Sequence, residues 1–204
     1  MSPIRNAPEH RLCVYCGSSP GRNPAFTRAA KQLGTLLARE GVGLVYGGGA
    51  IGLMGEVARE VLGAGGYVTG IIPEFLVKKE RMLDGVNELI VTRSMHERKT
   101  LMFEKSTGFV ALPGGIGTLE ELAEITTWAQ LNQHAKPIII ADVDGYWSHL
   151  LKLLEHMRSE SFIRAETEVF LDVAKTVDEV IPLYRQRLGQ ARQKVPLAAI
   201  RQQL

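Results

Sequence analysis

Residues Pro113-Gly114-Gly115-Ile116-Gly117-Thr118-Leu119-Glu120-Glu121 stand between an apolar run at 109–112 and an amphipathic run at 122–131. The order spells a short buried strand, a glycine turn and a helix. Gly114, Gly115 and Gly117 tolerate positive φ and carry no Cβ, so the backbone can press against a ligand with its N–H groups turned outward. Thr118 is a good N-cap, and a helix opening there carries partial positive charge at its N-terminus, which makes the loop an anion cradle, for phosphate above all. Glu121 follows Thr118 at capping-box spacing, so the acid has a purely structural reading. Its other reading is chemical: two adjacent acids, Glu120 and Glu121, would repel a phosphate and instead face a sugar beside it.

Outward from this loop the chain alternates strand and helix. Strands are expected at 11–16, 43–46, 67–72, 89–92, 109–112, 137–141 and 169–171. Asn23 caps a first helix with Pro24 at its first position and an apolar stripe of Phe26, Ala30, Leu33 and Leu37, and Gly41 ends it. A second helix, after the glycines of 47–52, carries Leu53, Met54, Val57, Ala58, Val61 and Leu62. Residues 74–88 show no clean period, and their Lys78-Lys79-Glu80-Arg81 cluster reads as a solvated loop. The next helix holds Met95, Arg98, Lys99 and Met102 at helical spacing, which sets two cations on a face otherwise apolar. Helices follow at 146–157 and, despite Pro182, at 177–188.

Continuously apolar strands, each followed by a helix, argue a doubly wound parallel sheet covered on both faces, an α/β chain in three layers. One domain is expected at 11–189, between tails at 1–10 and 190–204. Such sheets bind ligands at the carboxyl ends of their strands, near the point where the strand order reverses. Three turns of glycine or small residues, 17–19, 47–52 and 114–118, fall on that edge. Together they favour a nucleotide or sugar phosphate site.

The 204 residues suit one domain, and 45% hydrophobic with 23% charged residues are globular values. A formal net charge of +2 spread along the chain gives no ground for nucleic acid as a partner. No run approaches the ~18 apolar residues of a membrane span, and the polar N-terminus has no apolar signal core, so a cytoplasmic protein is expected. Cys13 and Cys16 spell C-x-x-C, but within a strand they point to opposite faces and no second Cys or His pair completes a zinc site, so they read as buried structural thiols.

Gly47, Gly49 and Gly52 match the dinucleotide pattern G-x-G-x-x-G, with Glu74 near the place of its ribose-binding acid, although they occupy the second strand-helix unit rather than the first. The nucleoside-triphosphatase loop is absent. His96-Glu97 lacks the second histidine of a zinc-protease helix, and no serine sits in a nucleophile elbow. What remains is carboxylates and an arginine around a phosphate cradle.

At these residues the chain resembles the LOG family, the cytokinin riboside 5'-monophosphate phosphoribohydrolases. The run 113–121 fits P-G-G-x-G-T-x-x-E, and Ser94-Met95-His96-Glu97-Arg98-Lys99 stands upstream at the family's interval. Cys16-Gly17-Ser18-Ser19, Tyr46-Gly47-Gly48-Gly49, Gly52-Leu53-Met54-Gly55, Gly70-Ile71-Ile72-Pro73, Thr127-Trp128-Ala129-Gln130-Leu131 and Asp144-Gly145-Tyr146 resemble it in the same order, over residues 11–188. Ser161 departs from it, standing where many relatives have Gly before Phe162-Ile163. Members are often labelled lysine decarboxylases, but nothing in the sequence identifies a pyridoxal phosphate lysine.

The resemblance implies a homodimeric, Rossmann-like enzyme that hydrolyses the N-glycosidic bond of a nucleoside 5'-monophosphate, giving free base and ribose 5-phosphate. By matched position it makes Arg98 and Glu121 the catalytic pair. It assigns substrate binding to Glu80, Arg98, Lys99, Gly115, Ile116, Gly117, Thr118, Leu119, Glu120, Glu121 and Thr127, and the edge turns add Gly17, Ser18, Gly48 and Gly49. Neither metal nor cofactor is required, and no nucleic acid or membrane partner is expected. The residues suit this chemistry, since cleavage builds positive charge on the ribose ring and a carboxylate beside it stabilises the transition state. Arg98 either holds the phosphate or fixes Glu121 by a bidentate pair and keeps it ionised. Two other readings stand beside this one: a dinucleotide-dependent oxidoreductase using 47–52, and a non-catalytic nucleotide sensor in which Glu121 only caps. The preferred base is open, because Met95 and Met102 serve a core and a prenyl pocket equally.

Overall fold

A computed structural model describes residues 6–80, 82–163 and 171–194 of the chain. Among them the strands are β1 Arg11–Tyr15, β2 Gly43–Tyr46, β3 Val68–Pro73, β4 Glu88–Thr92, β5 Gly108–Ala111, β6 Ile138–Ala141 and β7 Leu171–Ala174. They form one sheet in the order β4-β3-β2-β1-β5-β6-β7, with every neighbouring pair parallel. The helices are α1 Pro24–Arg39, α2 Gly52–Gly63, α3 Glu74–Glu80, α4 Met95–Glu104, α5 Ile116–Gln130, α6 Ser148–Ser159 and α7 Val180–Lys194.

The alternation of side chains along each strand builds the three layers. Leu12, Val14, Leu44 and Tyr46 pack with α1, α2 and α7 on one face, where Leu33, Leu37, Val57, Val61 and Tyr184 complete the core. Cys13, Tyr15, Val45 and Phe109 point to the other, with Met102 of α4 and Leu122 and Ile125 of α5. Cys13 and the nearby Cys16 therefore join different cores, and burial pushes both thiols up, Cys13 to about 12.

The chain winds outward from β1 through β2 and β3 to β4, and α4 then carries it back over the sheet to β5 on the other side of β1. The strand order thus reverses between β1 and β5. Their carboxyl ends part there and leave a crevice open.

Three expectations need adjusting. Residues 74–80 form α3, not a loop; a helix this short is too brief for an apolar period to show, and Glu74 supplies the acid of its first turn. The final helix runs to Lys194, so the boundary placed at Gly189 falls inside it, while Pro182 sits in its first turn, where a missing N–H costs nothing. The last strand begins at Leu171 and extends to Ala174; residues 169 and 170 of the expected strand, Arg81 of the basic cluster and the tail from 195 lie outside the described residues.

Candidate active site

The three turns follow β1, β2 and β5, which are neighbours in the sheet. Gly17 joins them: its N–H donates to Pro113 O at 3.1 Å, and its carbonyl accepts from Leu53 N at 3.0 Å and Met54 N at 3.4 Å. The first amides of α2 are thereby spent on Gly17, so this helix does not offer them to a pyrophosphate. Gly48 and Gly49 also face their own chain. The carbonyl of Gly48 accepts from Leu83 N, and Gly49 bridges Met82. Among the described residues α2 thus does not offer the Leu53 and Met54 amides on which the dinucleotide reading of 47–52 would draw, while exposed Ser18 remains open beside buried Gly17.

In the turn after β5, among the described residues, the N–H groups of Gly115, Ile116 and Gly117 donate to no backbone carbonyl. Here the structure corrects the capping reading. Gly115, not Thr118, is the N-cap of α5, with φ −88° and ψ −159° and no side-chain cap bond. Thr118 is the third helical residue and is buried, and Glu121 lies a turn further on, out of reach of a capping box. The close packing of Thr118 is what demands Gly114, since a Cβ there would run into the Thr118 side chain and lie 2.9 Å from Gly17 N. Gly115 and Gly117 border open space, and Ile116 is 82% exposed beside them. A reciprocal cap exists one helix earlier: Ser94 Oγ accepts from Glu97 N at 3.1 Å, and Glu97 Oε2 accepts from Arg93 N at 2.8 Å, which accounts for the acid after His96.

Relieved of capping, Glu121 turns to α4. Arg98 Nη1 donates to Glu121 Oε1 at 3.1 Å, with the two side chains only 9% and 12% exposed. Arg98 is held from behind by Nε on the carbonyl of Ile71 at 3.1 Å and touches Met95 Sδ through Nη1. Its Nη2 lies against Gly47, where a Cβ would collide with it, so this glycine makes room for the guanidinium. Burial, the largest influence, pushes Glu121 up; Arg98 pulls it back and Glu120 adds to the rise, leaving it at about 7. The carboxyl is thus poised to change charge near neutrality, in a site mostly closed to water.

Lys99, the other cation of α4, donates to Glu120 Oε1 at 2.7 Å and Glu124 Oε1 at 2.9 Å. Burial works against its charge, but the two carboxylates outweigh it and hold the ammonium above its ordinary value. Lys99 and Glu120, both expected on substrate, are here bonded to each other. Thr127 stands exposed about 9 Å along α5 from Glu121 at the usual helical rise, its hydroxyl on Ala123 O, so the fold does not bring it to the pair within one chain. Leu119 is half-buried in the first turn of α5. Glu80 closes α3, and its side chain lies outside the described ones.

Some contributors to this site were not singled out from the sequence. Glu124 had a signal, being one helical turn from Glu120 and so able to share its cation. The carbonyl of Ile71 had none, because a main-chain acceptor is invisible until β3 and α4 are docked. Tyr146 stood only within a family-like run; its hydroxyl donates to the carbonyl of Gly114 at 2.5 Å.

A family model described as "Possible lysine decarboxylase" matches residues 54–183. A rice protein (Oryza sativa subsp. japonica) named as a probable cytokinin riboside 5'-monophosphate phosphoribohydrolase is 44% identical over 171 residues, 84% of this chain and 70% of that one. The chain belongs to the LOG family. An Arabidopsis thaliana LOG protein, named cytokinin riboside 5'-monophosphate phosphoribohydrolase, is likewise 44% identical over 171 residues, 84% of this chain and 80% of its own. Among solved structures, the Moco carrier protein of Chlamydomonas reinhardtii matches with TM-score 0.69 at 23% identity, over 91% of this chain and 99% of its own. The molybdenum cofactor binding protein of Rippkaea orientalis matches with TM-score 0.65 at 26% identity, over 90% and 98%. These two share the α/β fold with the LOG chain. The decarboxylase label of the family model finds no support in Lys99, because a Schiff-base lysine needs a depressed pKa and this one is raised.

Proposed function

We propose that this chain hydrolyses the N-glycosidic bond of N6-modified adenosine 5'-monophosphates of the cytokinin kind, releasing the free base and ribose 5-phosphate. The observation that carries the reading is the buried Arg98–Glu121 pair beside a turn whose amides are open to an anion. In this scheme the amides opening α5 receive the 5'-phosphate, which sets the ribose above Glu121. As the bond to the base stretches, positive charge grows on the ribose ring, and the ionised carboxylate meets it in surroundings too poor in water to screen the attraction. Oε1 is engaged by Arg98, while Oε2 is left to orient the ribose hydroxyl or the attacking water. Arg98 keeps the carboxylate ionised when the substrate's own negative charge arrives, and so acts on Glu121 rather than as the principal phosphate ligand.

The assignments of Gly115, Ile116, Gly117 and Thr118 to substrate follow from the same placement. Lys99, through Glu120 and Glu124, ties α4 to α5 and fixes the distance between the paired residues. We further propose a cytoplasmic homodimer, which would cover the apolar side chains exposed at the two ends of α5, Ile116 and Leu131. Among the described residues no helix is long and apolar enough to cross a membrane.

Incubation with AMP and with an N6-prenyl AMP, followed by chromatography for free base, tests the activity. Release of base from either supports an N-glycosidase, and the ratio of rates gives the preferred base. Recovery of both nucleotides intact would overturn the proposal.

A further inference from the structure

The glycine turn after β5 poses a problem of orientation. Gly114 has to be glycine because Thr118 and Gly17 occupy the space of a Cβ, and Gly115 follows it. A peptide unit between two glycines is free to rotate about the bonds on either side, since no side chain restricts them. In a trans peptide the carbonyl of Gly114 and the N–H of Gly115 point in opposite directions. One orientation presents an N–H to an incoming anion, and the flipped one presents a carbonyl oxygen that repels it. Among the described residues no backbone hydrogen bond engages the Gly114 carbonyl or the Gly115 N–H to choose between them.

The choice is made from the loop after β6. Asp144 at φ 51° and Gly145 at φ 71° are successive left-handed residues, a conformation that L side chains rarely adopt. The surroundings hold it in place: Asp144 Oδ2 accepts from Asn23 Nδ2 at 2.8 Å, and buried Asp142 accepts from Trp147 N through Oδ1 at 2.8 Å. Asn23 is in turn the N-cap of α1, through Oδ1 on Ala25 N. The loop is thereby fastened to α1 and throws the ring of Tyr146 over the glycine turn. Phe26 supports that ring edge-on, 5.2 Å between centroids, and the hydroxyl donates to the carbonyl of Gly114. Tyr146, Phe26, Gly17, Leu53 and Gly114 line a cleft of about 190 Å³ around this bond.

We propose that Tyr146 is a positioning residue for the reaction: by holding the Gly114 carbonyl it keeps the Gly115 N–H turned to the phosphate of the substrate. The inference rests on the function proposed above. It requires that the hydroxyl act on phosphate affinity and leave the bond-breaking step alone.

The test is Tyr146→Phe in the full chain, with AMP as substrate and ribose 5-phosphate and adenine as competing ligands. The KM for AMP and the inhibition constant of ribose 5-phosphate are expected to rise together by about tenfold, the scale of one hydrogen bond to a charged group. The kcat should stay within about twofold and the constant for adenine should not move, because only the phosphate end is disturbed. A merely structural tyrosine would lower the melting temperature and leave KM alone. Unchanged KM in a variant that melts like wild type, or equal weakening of adenine and ribose 5-phosphate, overturns the proposal. A second measurement needs no variant: ribose 5-phosphate should displace the Gly115 amide resonance of the wild-type protein, and a stationary resonance at saturation overturns the proposal even if Tyr146→Phe does not fold. If wild type leaves AMP intact while the resonance still moves, the function fails and a phosphate site at Gly115 remains; weaker binding of ribose 5-phosphate by Tyr146→Phe then supports the hold of Tyr146 on that site, and equal binding by the two proteins overturns it.

Discussion

Arg98 and Glu121 meet through a single hydrogen bond, Nη1 to Oε1 at 3.1 Å, rather than through a two-fold fork. The guanidinium cannot swing to form the fork because its Nε is tied to Ile71 O and its Nη2 lies in the space left by Gly47. Among the described residues neither Nη2 nor Glu121 Oε2 has a hydrogen-bond partner. A carboxylate fixed by one oxygen and open at the other is suited to act on a ligand, whereas a closed fork would be suited to hold two helices together.

Glu121→Gln keeps the size and removes the charge. Its hydrogen bond from Arg98 can persist through the amide oxygen, so the fold should survive. Turnover should fall by roughly 10²-fold or more, the scale of removing one electrostatic contact to a transition state. Free-base release, melting temperature and AMP binding measured on the same samples check this. Near-wild-type turnover would remove Glu121 from the chemistry.

The pH dependence follows from the same group. Folding raises Glu121 from an ordinary value of 4.5 to about 7, chiefly by burial. Its contribution to stability is therefore complete below 4.5 and is lost as pH rises through about 7, because the folded chain must then ionise a buried acid. Glutamine does not titrate, so the melting temperature of wild type relative to Glu121→Gln should fall between about pH 5 and about pH 8. Activity runs the other way, with kcat/KM rising through about 7 as the carboxylate ionises. Arg98→Ala withdraws the cation that holds the value down and should move that rise to higher pH. A rise that stays in place would mean that another group limits the rate.

Dependence on the 5'-phosphate should be strong. The amides opening α5 gain little from a neutral hydroxyl, and the ribose of an unphosphorylated nucleoside has nothing to set it above Glu121. AMP and adenosine compared at equal concentration check this, with adenosine expected to be a very poor substrate. Comparable rates would place the phosphate site elsewhere.

Ser161 sits at φ 63°, directly after the C-cap of α6. Phe162 N donates to Met157 O and Ser161 N to Arg158 O, the paired bonds of a Schellman turn, whose left-handed position favours glycine. Ser161→Gly should stabilise the protein by about 1 kcal/mol, which for a chain of this length raises the melting temperature by about 2–4 °C. A scan of both proteins decides it.

The proposed dimer predicts a solution mass near twice 22.4 kDa by light scattering. Ile116→Asp and Leu131→Asp should weaken it, since each would bring a carboxylate into the contact. A fully active monomer at nanomolar concentration would exclude the dimer as a requirement.

Much of this molecule was legible in the sequence because it depends on neighbours along the chain. The alternating apolar runs define β1, β2, β5 and β6 to within a residue or so, and the glycines after β1, β2 and β5 mark the edge where a ligand can sit. The pairing of Arg98 with Glu121 was expected, but only from the family's pattern. Their single-bonded geometry, and a carboxyl poised near neutrality, depend on docking α4 over the sheet against the carbonyl of Ile71. Thr118 shows the same dependence: any threonine before two acids looks like a cap, and only packing against Gly114 shows it to lie inside the helix. The reach of Tyr146 to Gly114 was likewise decided by tertiary structure. Sequence patterns report how a segment satisfies its own backbone and apolar face, while the charge state and aim of a side chain are set by groups that only the folded chain brings beside it.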